Sequence, residues 1–145
     1  MTPGEDGSAA VEFVTAGILL LVPLVYLVVA VAAIQAGAFA VEGASRQAAR
    51  VSVQAATPAE ARAQAGTAVD FALSDFGVEP RTASVTVACE PRPTDCLTRR
   101  GFVTVTVAAR IPLPLAPPAL GAKVPLSVPL AATTTEQVSR FWGAG

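Results

Sequence analysis

One acid stands at the head of a long apolar run. Glu12 is followed by Phe13–Ile34, which carries no charge and whose only polar or helix-breaking members are Thr15, Gly17 and Pro23. A charge at the centre of a membrane helix costs about 2.5–3.5 kcal/mol on insertion scales, and less towards the end. Glu12 therefore needs either water at a headgroup boundary or a partner of opposite charge. Gly7 suggests the partner. If the peptide bond after Gly7 were cut, Ser8 would carry a new α-amine, largely protonated at neutral pH. Glu12 would then lie four residues on, one helical turn away, near a helix N-terminus that favours a carboxylate. In a packed assembly, Glu12 of one chain could neutralise the Ser8 ammonium of the next. A wrong axial register would leave both charges unpaired, and setting register is the best-attested use of a buried ion pair.

The other chemically capable residues say less. Cys89 and Cys96 read as a disulfide closing a short loop, which needs an oxidising compartment; two buried thiols are the alternative. Two cysteines in a chain without histidine leave a metal's coordination shell half empty, so no metal site is expected. The same lack of histidine rules out Ser–His and Cys–His nucleophile pairs. Asp70 and Asp75 lie five apart on a helix and do not face each other. Asp75-Phe76-Gly77 spells a kinase tripeptide without the glycine-rich loop or catalytic loop that give it meaning. Arg99-Arg100 precedes Gly101 and reads as an exposed turn. The expectation is a protein that is not an enzyme and takes no cofactor.

These residues sit on a chain of 145 residues, 52% hydrophobic, with a formal net charge of −1. The mean hydropathy of +0.55 is high for a soluble domain. The excess lies in the first third, as expected of one membrane segment followed by one small domain. A near-neutral chain has no field to attract nucleic acid, and none is expected as a partner. About 20 apolar residues at ~1.5 Å per residue cover a hydrocarbon core of ~30 Å, so the run at 13–34 is long enough to span a bilayer. A cleaved secretory signal is the alternative, with small-x-small sites at Ala30-Val31-Ala32 and Ala38-Phe39-Ala40. Against it, Met1–Gly7 carries Glu5 and Asp6 and no basic residue.

The helical pattern runs from Ser8 to about Ala55, on the order of 70 Å if unbroken. Pro23 is tolerated as at most a kink. Ala36, Ala40, Ala44 and Ala48 recur every four residues and form a stripe suited to close helix packing; helix propensity alone is the plain alternative. Glu42 and Arg46 stand in the favourable i, i+4 order. Thr57-Pro58-Ala59-Glu60 is a capping box with proline at the first helical position, opening a second helix. Ala61, Ala65, Val69, Ala72, Leu73 and Phe76 form its apolar side, and Gly77 stops it. Strands are expected at Thr82–Cys89, with Val85, Val87 and Cys89 on one face, and at Phe102–Ala109, with Val103, Val105 and Val107 on one face. Lys123–Glu136 reads as a third strand, confined to an edge by Pro125 and Pro129. Phe141 and Trp142 are free to pack on the domain or on a partner. The fold class expected is α+β: a long N-terminal membrane helix, a second helix and a small antiparallel sheet of about three strands.

The stretch DGSAAVEFVTAGILLLVPLVYLVV, from Asp6 to Val29, resembles the N-terminus of TadE-like pseudopilins, relatives of type IV pilins. Such proteins carry glycine before a cleavage point, glutamate five residues after it, then an aromatic and a long apolar helix. Gly7, Ser8, Glu12 and Phe13 match in turn. The resemblance covers about the first quarter of the chain. It implies a pilin-like fold and a cytoplasmic leader, Met1–Gly7, removed by a prepilin peptidase. It also implies a minor subunit of a tight-adherence (Flp) pilus or secretion machine, whose partners are other pilins, inner-membrane assembly proteins and the lipid bilayer. The N-terminus would be cytoplasmic and the domain at 56–145 extracytoplasmic, with possible incorporation into a pilus. Two features depart from the pattern. The leader lacks basic residues, so that Arg46 and Arg50 beyond the run argue for the opposite topology, and the domain is longer than a bare Flp major pilin would carry, which favours a minor or initiating subunit over the main filament subunit. A generic single-pass anchor presenting a binding module, unprocessed at Gly7, is the other reading.

Overall fold

A single helix of 49 residues, α1 (Asp6–Gln54), carries the chain from its N-terminal end into a folded domain. The computed structural model describes residues 6–114 and 126–143, with side chains from residue 9 onward. After α1 come α2 (Pro58–Ser74), a 3-10 turn at Pro80–Thr82, and strands β1 (Ser84–Glu90), β2 (Phe102–Pro112) and β3 (Ser127–Gln137). The architecture is α+β, as the sequence pattern predicts. At ~1.5 Å per residue α1 is about 73 Å long, and Pro23 lies inside it without ending it.

The turn between the helices follows local chemistry closely. Thr57 is extended, and its hydroxyl accepts from the Glu60 N–H at 3.2 Å. The Glu60 carboxylate reaches back to the Ala56 N–H at 3.1 Å, one residue beyond the usual box. At the far end Gly77 adopts φ +68, open only to glycine without strain. The Gly77 N–H donates to the Ser74 carbonyl and the Val78 N–H to the Leu73 carbonyl, a Schellman pattern. Val78 and Leu73 are both buried in the core.

The sheet is antiparallel in the order β1-β2-β3. Period-2 alternation puts Val103, Val105, Val107, Ala109 and Ile111 on one face of β2, all buried. Helix α1 crosses that face, and α2 packs on α1. The opposite face is a polar lattice in which Thr104 meets Thr135 and Thr106 meets Thr133, each at 2.9 Å.

Several expectations need correction. The first strand begins at Ser84, because Pro80–Thr82 closes a 3-10 turn. Val85 and Val87 share a face with Cys89, but only Cys89 is buried; the two valines are 41% and 39% exposed, since α1 lies over β2 and β3. Strand β2 runs on past Ala109 to Pro112, because Ile111 fills a site under α1. Strand β3 is an edge strand with Pro129 inside it, as predicted; the expected start at Lys123, with Pro125, lies outside the described residues. Phe76 does not join the core of α2. It is 50% exposed, because the chain turns away at Gly77 and Val78 takes the buried place.

Candidate functional site

The first two turns of α1 hold the residues singled out by the sequence. Gly7 and Ser8 lie in its opening turn, and Glu12 and Phe13 follow one turn on. Glu12 and Phe13 are both exposed. None of the ion pairs among the described residues involves Glu12. From Ala9 to Val29 every residue is exposed except Tyr26, which is half-buried. The helix is long and apolar enough to cross a membrane, and its most apolar stretch is not covered by any part of the protein. The Thr15 hydroxyl does not interrupt this surface, because it donates to the Val11 carbonyl at 2.7 Å.

Burial begins at Ala30 and becomes continuous with the helical repeat from Gly37. Ala40, Ala44 and Ala48 have no exposed area, and Ala36 is half-buried. The alanine stripe therefore packs against this chain's own sheet and second helix, and only Ala36 keeps an open edge. Its small side chains have a structural role: they let the α1 backbone approach the sheet. Gly37 shows how close, since a Cβ there would fall 2.5 Å from the Ile111 Cγ1. Ser45, buried beside the stripe, shares a hydrogen bond of 2.8 Å with the Thr134 hydroxyl of β3. Glu42 and Arg46 form the expected ion pair on the outer face.

Cys89 and Cys96 are joined in a disulfide that closes the β1–β2 connection. It lies near Ser52 and Pro58, which share the lining of a small cavity of about 90 Å³ with Cys96. Ser52 is some 40 residues along α1 from Glu12, or roughly 60 Å. The chemical candidates of the sequence thus fall at opposite ends of the molecule and do not form one site. The cavity holds no buried titratable group, and the Ser52 hydroxyl is already bonded to the Ala48 carbonyl at 2.7 Å. No cluster of three or more His, Cys, Asp or Glu side chains suited to a metal occurs among the described residues.

The end of the chain contributes contacts that the sequence left open. Trp142 packs on the core, and its indole N–H donates to the Ala55 carbonyl at 2.9 Å, where α1 turns into α2. Arg99 donates to the Trp142 carbonyl at 2.8 Å, so the exposed turn before β2 clasps this tail. Phe141 stays exposed, with the Arg140 guanidinium 4.6 Å from its ring centre. The indole donor needed a partner once half-buried, which is the one signal in the sequence for this contact.

What these features define is an α+β domain carried on a helix whose N-terminal half is bare and apolar. No family model, curated protein or solved structure matches the chain.

Proposed function

We propose that this chain is a minor pilin or pseudopilin of a tight-adherence (Flp) type IV pilus or secretion machine, anchored and assembled through the N-terminal half of α1. The observation that carries the reading is the bare tip of that helix: some twenty apolar residues project beyond the domain, with a single carboxylate, Glu12, one turn after Ser8. A soluble domain gains nothing from exposing this surface, whereas a bilayer or a bundle of like helices covers it. Processing after Gly7 by a prepilin peptidase gives Ser8 the ammonium that Glu12 of a neighbour needs. It also removes Glu5 and Asp6 and takes the formal charge from −1 to +1 before the new amine is counted. The disulfide supports a domain outside the cytoplasm, where thiols oxidise.

N-terminal mass spectrometry of the protein from its native membrane tests this directly. A mature N-terminus at Ser8 is expected. An N-terminus at Met1 or Thr2 would instead make the chain a generic membrane-anchored binding module. In parallel, Gly7→Ala should leave full-length precursor on an immunoblot, and Glu12→Leu should insert normally but assemble poorly. Unchanged assembly of Glu12→Leu would remove the register argument.

A further inference from the structure

Both edges of the sheet are open among the described residues, and their geometry fits one neighbour. The Val138 N–H donates to the Gly101 carbonyl and the Leu113 N–H to the Leu126 carbonyl, in the same register as the β2–β3 pairing. Hydrogen-bonded and non-bonded pairs alternate along an antiparallel ladder. Odd-numbered residues of β2 therefore bond to β3, and Ala131, Thr133 and Thr135 turn their N–H and C=O groups away from β2, to the open side. Pro129 occupies the same row and has no donor to offer, which limits the usable edge to the stretch after it. By the same alternation, Val85 and Val87 of β1 point their backbone groups outward at the opposite edge.

The flanks of these edges are complementary. A groove of about 560 Å³ runs between α1 and β3, walled by Ala38, Val41, Glu42 and Arg46. At the other edge, Val85 and Val87 lie on the helix-facing side of the sheet and stay 41% and 39% exposed, with Val87 on the rim of the small cavity beside the start of α2. Neither Ser84–Ala88 nor Ala131–Thr135 carries a charge, so the two edges do not repel.

We propose that β3 of one copy accepts β1 of a second, identically oriented copy as a parallel neighbour. Direction follows from the fold. Gly37 of α1 lies against Ile111 and Ser45 against Thr134, which pairs with Val105. Helix α1 thus runs against β2 and in the same sense as β1 and β3. Copies that share one membrane keep one orientation, which makes the β3–β1 contact parallel; only this shared orientation rests on the membrane-anchored reading above. With Thr86 set opposite Thr133, the Thr133 N–H and C=O reach Val85 and Val87, the outward-pointing residues of the neighbour. The valine side chains then turn towards the groove floor at Ala38 and Val41, and Thr86 extends the threonine lattice on the outer face. The contact is head-to-tail, so each copy keeps an open edge for the next.

The test uses two full-length forms with different tags in one membrane, Thr86→Cys and Thr133→Cys, under mild oxidation. Neighbouring strands lie about 4.8 Å apart, within disulfide reach, whereas Thr86 and Thr133 of one copy flank Thr106 and lie roughly twice that distance apart, too far to bridge. A mixed dimer is expected only when both forms are present. Ala131→Pro, added to the Thr133→Cys form, removes an outward donor that the fold does not use and should cut the dimer yield about tenfold, equivalent to roughly 1.4 kcal/mol. No mixed dimer, a dimer from Thr133→Cys alone, or a yield indifferent to Ala131→Pro would each overturn the proposal. Repeating the mixture on a Gly7→Ala background separates the two readings. A mixed dimer there upholds the sheet contact even if processing fails, and an N-terminus at Ser8 without any mixed dimer removes the contact alone.

Discussion

Between Ala9 and Val29, α1 turns leucine, valine, isoleucine and phenylalanine outward; between Gly37 and Ser52 it buries glycine, alanine and serine, with Val41 the one larger side chain among them. Leu20 is 76% exposed while Ala44 is fully covered. In a domain that folds in water the large aliphatic side chains would be inside and the small ones indifferent. The inversion within one continuous helix divides it into two unlike halves. The first half presents a surface long and apolar enough to cross a membrane. The second half is matched to its own sheet, where small side chains let two backbones approach and where one added carbon is felt. The same residue type therefore has opposite consequences along α1.

Mutations on either side of the boundary should break or sharpen this contrast. Trp142 is the single tryptophan, and its half-buried ring reports unfolding of the domain in detergent. The largest effect is expected at Leu73 of α2, which is fully covered in the core beside the docked half. Leu73→Ala should cost about 2–5 kcal/mol in urea unfolding, from lost transfer energy and the cavity left behind.

Next is Gly37→Ala, whose new Cβ would meet Ile111 at 2.5 Å; forcing the helix off the sheet should cost about 1–3 kcal/mol. Adding Ile111→Val should recover part of that loss, and failure to recover any would place the strain elsewhere. Thr57→Ala tests the corner where the docked half passes into α2, and loss of the cap to the Glu60 N–H should cost about 1 kcal/mol.

The smallest effect belongs to the bare half. Leu20→Ala should leave the Trp142 transition within about 0.5 kcal/mol of the parent. A loss at Leu20 comparable to that at Leu73 would mean that the two halves do not differ as described.

Much of the domain was legible because its signals are local. Thr57-Pro58-Ala59-Glu60 starts α2 and Gly77 ends it through backbone chemistry that needs no distant partner. The alternating valines of β2 state their own face, and Pro129 confines β3 to an edge because a missing donor has no place in an interior strand. The bare tip was legible for the same reason, since a run of apolar residues of that length has few other uses. The misreadings fall where a side chain's fate depends on what lies across from it. Phe76 and Val85 have the right type and spacing for a core, yet Phe76 is displaced by Val78 and Val85, on an outer strand, stays 41% exposed. Gly37 carries no local signal of its closeness to Ile111, which arises only when α1 packs on the sheet.

The sequence by itself determined the elements, their order, the cysteines placed to pair across a short loop, and the stretch of helix able to live in an apolar medium. These follow from period, capping chemistry and side-chain type, all of which act within a few residues. Only the tertiary structure decided that the alanine stripe faces inward, that Trp142 fastens to the helix corner, and that β1 and β3 are the outer strands of the sheet. A four-residue repeat of alanine satisfies helix propensity and close packing equally well, so the choice between them rests with the surface that comes to lie against it.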